Sequence, residues 1–126
     1  MRRQPQTLRR FNSPRPATGA KGRDGEERAA AFLQAQGYSI VQKNVRLPGG
    51  EIDLVCKDGN IIVFIEVKYR ATGAFGSALG SVDHRKRATL RRLAADFLQF
   101  HAPTAIARFD IVAIDGDRIT LHRNAF

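Results

Sequence analysis

The stretch 60–69 constrains the fold most, because it predicts a strand that is buried on both faces. It is rich in β-branched residues and follows the turn signal Lys57-Asp58-Gly59-Asn60. Side chains alternate along a strand, and the odd-numbered positions form a face that is apolar or aromatic throughout. The even-numbered positions form a face that begins apolar and becomes charged at Glu66 and Lys68. This pattern indicates a central strand of a sheet.

The segment before the turn repeats the pattern and predicts the other half of a hairpin. Ile52, Leu54 and Cys56 would share one face of this strand, and Glu51, Asp53 and Val55 the other. Pairing the two strands through the turn would gather Asp53, Glu66 and Lys68 near one end, if the register allows it. Ionised groups are rarely placed beside a buried strand unless they are paired, bind metal or reach a cleft. Carboxylates can hold Mg²⁺, which activates a bound water and stabilises charge on phosphate. A lysine can orient that water or add positive charge beside the phosphate.

These residues resemble a known pattern. Asp53, followed after twelve residues by Glu66-Val67-Lys68, resembles the D…(D/E)xK signature of the restriction-endonuclease-like nuclease superfamily. The wider context resembles the YraN-like family of small bacterial proteins, which are similar to archaeal Holliday-junction resolvases. The matching residues are Gly22-Arg23-Asp24-Gly25-Glu26, Gly37-Tyr38, Asn44, Gly50-Glu51-Ile52-Asp53-Leu54, Phe64-Ile65-Glu66-Val67-Lys68 and Arg108-Phe109-Asp110.

The element order read from the sequence and the core implied by the resemblance agree. Both give an α/β fold with a restriction-endonuclease-like α-β-β-β-α-β core, in which helices flank a mixed sheet. The predicted helices cover 24–36 and 82–101, and the predicted strands cover 38–45, 51–56, 60–69, 105–114 and 118–122. Asp110 is predicted to cap or pair structurally, outside the site.

The resemblance implies a metal-dependent nuclease that hydrolyses phosphodiester bonds of DNA, including branched or damaged DNA. Asp53 and Glu66 would bind Mg²⁺ or Mn²⁺, with the Val67 carbonyl as a third protein ligand. Lys68 would position the attacking water, and Glu26 would complete the shell directly or through water. The related resolvases work as dimers, so a homodimer is an expectation to be tested.

Glu26 has a second explanation. Residues 24–36 predict a helix with Asp24 as its N-cap and Gly37 as its stop. Glu26 and Glu27 would then suit the first turn through the helix dipole alone. The residues three, four and seven positions after Glu26 are apolar and predict the buried stripe, whereas a mixed surface follows Glu27. We therefore predict that Glu26 faces the sheet.

The positive charge is concentrated at the N-terminus. The net charge is +9; residues 1–23 contain seven basic residues and no acid, and residues 24–126 contain fourteen basic and twelve acidic residues. Residues 1–22 are polar and interrupted by three prolines, so we predict a disordered basic arm before a nuclease-like domain over 23–126. The arm fits attraction to nucleic acid. It equally fits a solubilising segment or a misassigned start.

The first half of the second predicted helix carries a cluster of five basic residues. These residues, predicted to contact backbone phosphates, are Arg85, Lys86, Arg87, Arg91 and Arg92. A charge run on a helix is often only its solvated face, but this cluster follows the loop after Lys68. That loop, 71–81, contains three glycines and is either a clamp on a substrate or a plain connector.

Composition narrows the class of protein. The single cysteine, Cys56, excludes an intramolecular disulfide and a multi-cysteine zinc site, and is expected to pack in the core. No apolar run approaches the roughly 20 residues of a membrane span, and the basic N-terminus lacks the apolar region of a secretory signal. We expect a cytoplasmic protein whose partner is nucleic acid, most simply DNA, and not a membrane.

Two alternatives to a nuclease remain at this point. The first is a nucleic-acid-binding module that kept this fold without cutting, since charge and fold fit it equally well. The second is a structural partner protein in which Glu66 and Lys68 form a surface ion pair of little energetic value.

Overall fold

The computed structural model describes residues 19–70 and 82–126, with side chains from residue 24 onward except Arg70. Within these ranges the chain forms two helices and five strands. In chain order they are α1 (Gly19–Ala35), β1 (Ser39–Leu47), β2 (Gly50–Asp58), β3 (Ile61–Arg70), α2 (His84–His101), β4 (Ala107–Asp115) and β5 (Arg118–His122). The predicted α/β class and element order are confirmed. Most of the predicted arm and the whole of the glycine-containing loop lie outside the described residues.

The five strands form one mixed sheet in sequence order, β1-β2-β3-β4-β5. Every neighbouring pair is antiparallel except β3 and β4, which run parallel from Ile62–Ala107 to Arg70–Asp115. A parallel pair needs a crossover connection, and α2 lies in it. The central strand is therefore β3, which corresponds to the strand predicted from residues 60–69. Its position agrees with the prediction made from its two apolar faces.

Each face of the sheet packs against one helix. On the α1 side, Leu33 packs with Val63, Ile65 and the inward residues of β4. On the α2 side, Phe64 packs with Leu93 and Phe97. Cys56 is fully buried in the first cluster, and this burial raises the pKa of its thiol to about 12, as expected of a packing residue. Among the helices of the described ranges, none has the length and apolar content that crossing a bilayer requires.

The start of α1 differs from the prediction. The helix begins at Gly19 and so includes four residues assigned from sequence to the arm. Asp24 is therefore not an N-cap; it lies inside the helix, where its carboxylate is 3.9 Å from the Arg28 guanidinium. The end is as predicted: Gly37 has φ +98°, and Tyr38 N–H donates to the Leu33 carbonyl.

The tip of the β1–β2 hairpin packs closely on α2. A Cβ built at Gly50 would lie 2.9 Å from Leu93 Cδ1, so only glycine fits there without movement. Arg92 covers the same turn, where its Nη1 lies 3.4 Å from the Pro48 carbonyl oxygen. Asp83 is the N-cap of α2, and its side chain accepts from the Lys86 N–H at 2.9 Å.

A buried polar network occupies the α1 face where β3 begins. Asp110 is fully buried and accepts from Tyr38 Oη at 2.8 Å, from Arg108 Nε at 3.0 Å and from the Asn124 N–H at 2.8 Å. Arg108 also donates to Asp58 at 2.9 Å. The predicted structural role of Asp110 agrees with these contacts, because they satisfy the carboxylate from three directions.

We expect Asp110→Ala to cost about 3–5 kcal/mol of unfolding free energy, because it leaves the mostly buried Arg108 guanidinium without its main partner. Urea denaturation followed by far-UV circular dichroism measures the loss. Asp58→Ala is the matched control: its side chain is 37% exposed, so the loss should be about 1 kcal/mol or less. Equal losses in the two variants would contradict this assignment.

Candidate functional site

The site begins where β2 and β3 separate. Within these strands, whose backbone is fully described, the pairing runs from Asp58–Ile61 to Leu54–Ile65 and stops there. Asp53 and Glu66 are the first residues beyond the last pair. The Val67 N–H then donates to the Asp53 carboxylate, Oδ2, at 2.9 Å. Asp53 thus supplies an acceptor for this partly buried backbone donor.

The separation also breaks the side-chain alternation of β2. Strict alternation puts Ile52 and Val55 on opposite faces of the sheet. Both belong instead to the cluster that packs on α2, so β2 twists locally at Asp53. The sequence pattern had assigned Ile52 to the face of Leu54, and this part of the prediction is wrong. The local twist accompanies the opening between the two strands.

Asp53 and Glu66 form a close pair of desolvated acids. Glu66 is only 4% exposed, and the two carboxyl groups influence each other's pKa. Burial raises the pKa of Asp53 well above its usual range; the neighbouring Glu66 and the charge of Glu26 raise it further, while the Val67 N–H opposes the rise. Burial also raises the pKa of Glu66. Two acids so close compete to stay ionised, and a cation between them removes that conflict.

Glu26 approaches this pair from α1. It lies in the middle of the helix, whose first turn holds no acidic residue, so the helix-dipole explanation does not apply to it. Glu26 is partly buried and Glu27 is exposed. The negative charge of Glu26 contributes to the rise in the Asp53 pKa. The partial burial of Glu26 agrees with the prediction that it faces the sheet.

Two lysines balance the acids. Lys86 Nζ lies 3.6 Å from Glu66 Oε2, and its charge is the largest influence that opposes the rise in the Glu66 pKa. Lys68 follows Glu66 on the same face of β3 and acts on it in the same direction. A surface pair of Glu66 and Lys68 does not describe this arrangement, because Glu66 is buried and has Lys86 as its nearer partner.

The donor set suits a hard divalent cation that keeps part of its water shell. Within the described ranges, no three side chains of His, Cys, Asp or Glu form a ready-made metal cluster. Mg²⁺ is usually held by one or two carboxylates plus waters, and Asp53 and Glu66 supply two. The Val67 carbonyl is a third candidate oxygen at the same opening. Glu26 acts on Asp53 through its charge, which fits a contact through water.

The basic cluster of α2 divides into parts with different surroundings. Lys86 belongs to the acidic site, and Arg92 is held 3.9 Å from Asp96 and over the β1–β2 turn. The guanidinium carbons of Arg87 and Arg91 lie 5.7 Å and 5.6 Å from the centre of the Phe126 ring. Phe126 in turn stacks on Phe109 of β4 at 4.9 Å. Arg85 is exposed.

Two features of this region were not predicted from the sequence. The spacing of the sequence did not indicate that Lys86 reaches Glu66, and its assignment to phosphate contacts stays a prediction. Phe126 carried no signal, since a single aromatic residue after an edge strand has no informative spacing. It lines a small pocket with Glu66, Leu90 and Phe109. The roles assigned to Asp53, Glu66, Val67, Lys68 and Glu26 stay predictions.

The five-stranded mixed sheet between two helices, with acids where the central strands separate, defines an α/β protein with a restriction-endonuclease-like core. The chain belongs to the uncharacterised protein family UPF0102, the YraN family, whose model matches residues 25–114. This range contains Glu26, the acids Asp53 and Glu66, and the basic part of α2. The resemblance noted from the sequence motifs is confirmed.

Relatives from several bacteria match along most of this chain. A UPF0102 protein of Shewanella loihica is 48% identical over 106 residues, which is 84% of this chain and 93% of the relative. One from Halorhodospira halophila is 44% identical and covers 97% of this chain and 94% of its own length. One from Ralstonia pickettii is 45% identical, with 92% and 97% covered.

Asp53→Asn should stabilise the metal-free protein at neutral pH. Below the ordinary carboxyl pKa of about 3.9, Asp53 is protonated in both the folded and the unfolded protein. The raised pKa of the folded state therefore contributes its full stability in this acidic range. That stability is lost as the pH rises through the folded-state pKa, because the buried carboxyl must ionise. Asparagine does not titrate. Chemical denaturation in EDTA between pH 4 and pH 8 should show a gain that grows with pH.

Asp96→Asn is the matched control for this experiment. Asp96 lies on the exposed surface of α2 beside Arg92 and should not reproduce the pH trend. An Asp53→Asn variant that is less stable than wild type at neutral pH would contradict the description of Asp53 as a desolvated acid.

Proposed function

We propose that the protein is a metal-dependent nuclease that hydrolyses phosphodiester bonds of DNA, with branched or damaged DNA as the substrate to be tested first. The observation that carries the proposal is the pair of Asp53, which is partly buried, and Glu66, which is buried, at the separation of β2 and β3. Desolvation raises the pKa of both acids, and the charge of Glu66 raises that of Asp53 further, so holding the two acids together has an electrostatic cost. Strongly perturbed acids beside lysines are typical of functional sites.

Asp53 and Glu66 would hold Mg²⁺ or Mn²⁺, with the Val67 carbonyl beside them. When bound, the ion would lower the pKa of a coordinated water and stabilise negative charge on the phosphate. The Val67 N–H fixes the orientation of the Asp53 carboxylate, because one oxygen is held by that bond and the other remains available. The repulsion between the two acids favours cation binding, since binding relieves it.

Lys68 would orient the attacking water or add positive charge beside the scissile phosphate. It lies two residues after Glu66 on the same strand face, so the metal ligand and the lysine project from one rigid, central strand. Lys86 neutralises part of the charge of Glu66. Glu26 would contact the hydrated ion through water, which fits its influence on Asp53 at a distance.

Arg87 and Arg91 would hold the DNA backbone. They are one helical turn apart on α2, and the Phe126 ring lies against both guanidinium groups. Stacking on an aromatic face orients an arginine but leaves its hydrogen-bond donors available for phosphate oxygens. Contacts of this kind give affinity without choosing a base sequence, which fits a substrate recognised by its shape.

The decisive experiment is incubation with linear, branched and single-stranded DNA, and with RNA, in Mg²⁺ or Mn²⁺. Lys68→Ala should bind metal as wild type does but cleave about 10²–10³-fold more slowly, because it removes only stabilisation of the reacting groups. Asp53→Asn should lose both metal binding and cleavage. Calorimetric titration with Mn²⁺ separates the two effects.

Lys57→Ala is the matched control, because Lys57 is an exposed lysine on the same hairpin, away from the acids. It should cleave at the wild-type rate. Cleavage by Lys68→Ala at the wild-type rate would point to a contaminating nuclease. DNA binding by the wild type without cleavage of any substrate would favour the binding module instead.

Replacing Arg87 and Arg91 together by alanine should weaken DNA binding and make it less sensitive to salt. Each phosphate contact removed lowers the slope of log K against log salt by about 0.9, so two contacts should lower it by about 2. Fluorescence anisotropy with a labelled duplex at several salt concentrations measures both quantities. Arg118→Ala, on the exposed edge of β5, is the control and should leave the slope unchanged.

A further inference from the structure

Asn44 in β1 combines two unfavourable features. Its backbone has φ +54°, in the left-handed region that residues other than glycine adopt infrequently. Its side-chain oxygen, Oδ1, is buried and accepts no hydrogen bond from any described residue. It is the one buried side-chain oxygen or nitrogen in the described part of the chain that lacks a partner. Buried acceptors are nearly always satisfied, so this exception needs an explanation.

The register places Asn44 opposite Asp53. The pairs Lys43–Leu54 and Val45–Ile52 of the β1–β2 ladder lie on either side of this position. The left-handed residue therefore sits beside the point where β2 twists and separates from β3. Asn44 is also one of the residues that carry the family resemblance, and the proposed nuclease mechanism gives it no role.

Turn geometry does not explain Asn44. Asn124 has almost the same backbone angle, φ +53°, but it lies in the turn after β5, where left-handed asparagine is common. Asn44 lies inside a nine-residue strand. A strained backbone and an unsatisfied polar atom at one strand position are typical of residues held for a functional purpose.

We propose that the Asn44 side-chain oxygen is a further ligand of the divalent cation at Asp53 and Glu66, bound to the ion itself or to one of its waters. This inference rests on the proposed function. Amide oxygens are ordinary ligands of hard divalent cations.

The test measures Mn²⁺ affinity by calorimetric titration of the full chain, without any nucleic acid. Asn44→Gly removes the oxygen but fits the left-handed backbone, so the variant should fold. We expect its affinity to fall about 10–100-fold, the usual loss when a supporting ligand of a metal site is removed. Asn124→Gly is the matched control, because it makes the same change at the same φ away from Asp53.

Asn44→Asp keeps an oxygen at the position and should bind Mn²⁺ at least as tightly as wild type. The inference is supported if Asn44→Gly loses Mn²⁺ affinity while Asn44→Asp and Asn124→Gly keep it. Affinity of Asn44→Gly within twofold of wild type overturns the inference and leaves the proposed nuclease intact. A wild-type protein that binds neither Mn²⁺ nor Mg²⁺ overturns both.

Discussion

The site depends on one hydrogen bond, from the Val67 N–H to the Asp53 carboxylate. Where β2 leaves β3, a backbone donor of the central strand loses its neighbour and requires another acceptor. An aspartate supplies it, and the same bond holds that aspartate against Glu66. The fold thus uses a break in its own sheet to bring together two acids from strands that would otherwise continue as an ordinary ladder. Their desolvation is the cost of this arrangement.

The sheet contains two groups of buried charges, and they differ in how completely they are satisfied. Asp110 accepts hydrogen bonds from Tyr38, Arg108 and the Asn124 N–H, so its charge is matched inside the protein. Asp53 has one backbone donor and two acidic neighbours, Glu66 and Glu26, which disfavour its ionisation. The first arrangement stabilises the fold by itself. In the second, Lys86 and Lys68 offset only part of the cost of desolvating the acids. This difference is the physical reason for proposing a bound cation at the second group and not at the first.

The sequence predicted the parts that depend on local pattern. Alternating apolar residues identified the central strand, and helical spacing showed that Glu26 faces the sheet. The start of α1 was missed because glycines and basic residues before Asp24 carry no apolar periodicity, yet the helix extends through them. The twist that moves Ile52 to the α2 side was missed for a different reason. Alternation assumes a regular strand, but the β2–β3 ladder ends at Leu54 and β2 twists there. The rule therefore fails at Asp53, where the candidate site lies.

Helix α2 connects the acidic site to the surface that would meet DNA. Lys86 turns toward Glu66, while Arg87 and Arg91, one turn apart, lie along the Phe126 ring. An aromatic ring fixes the direction of a guanidinium without neutralising it, whereas a carboxylate partner would cancel the charge that phosphate binding needs. Glu66 lies on β3 and the arginines lie on α2, so the distance between them is set by the core packing of Phe64 with Leu90 and Leu93. A phosphate held by the arginines would therefore meet the acids in a fixed orientation, which is the condition for catalysis by positioning.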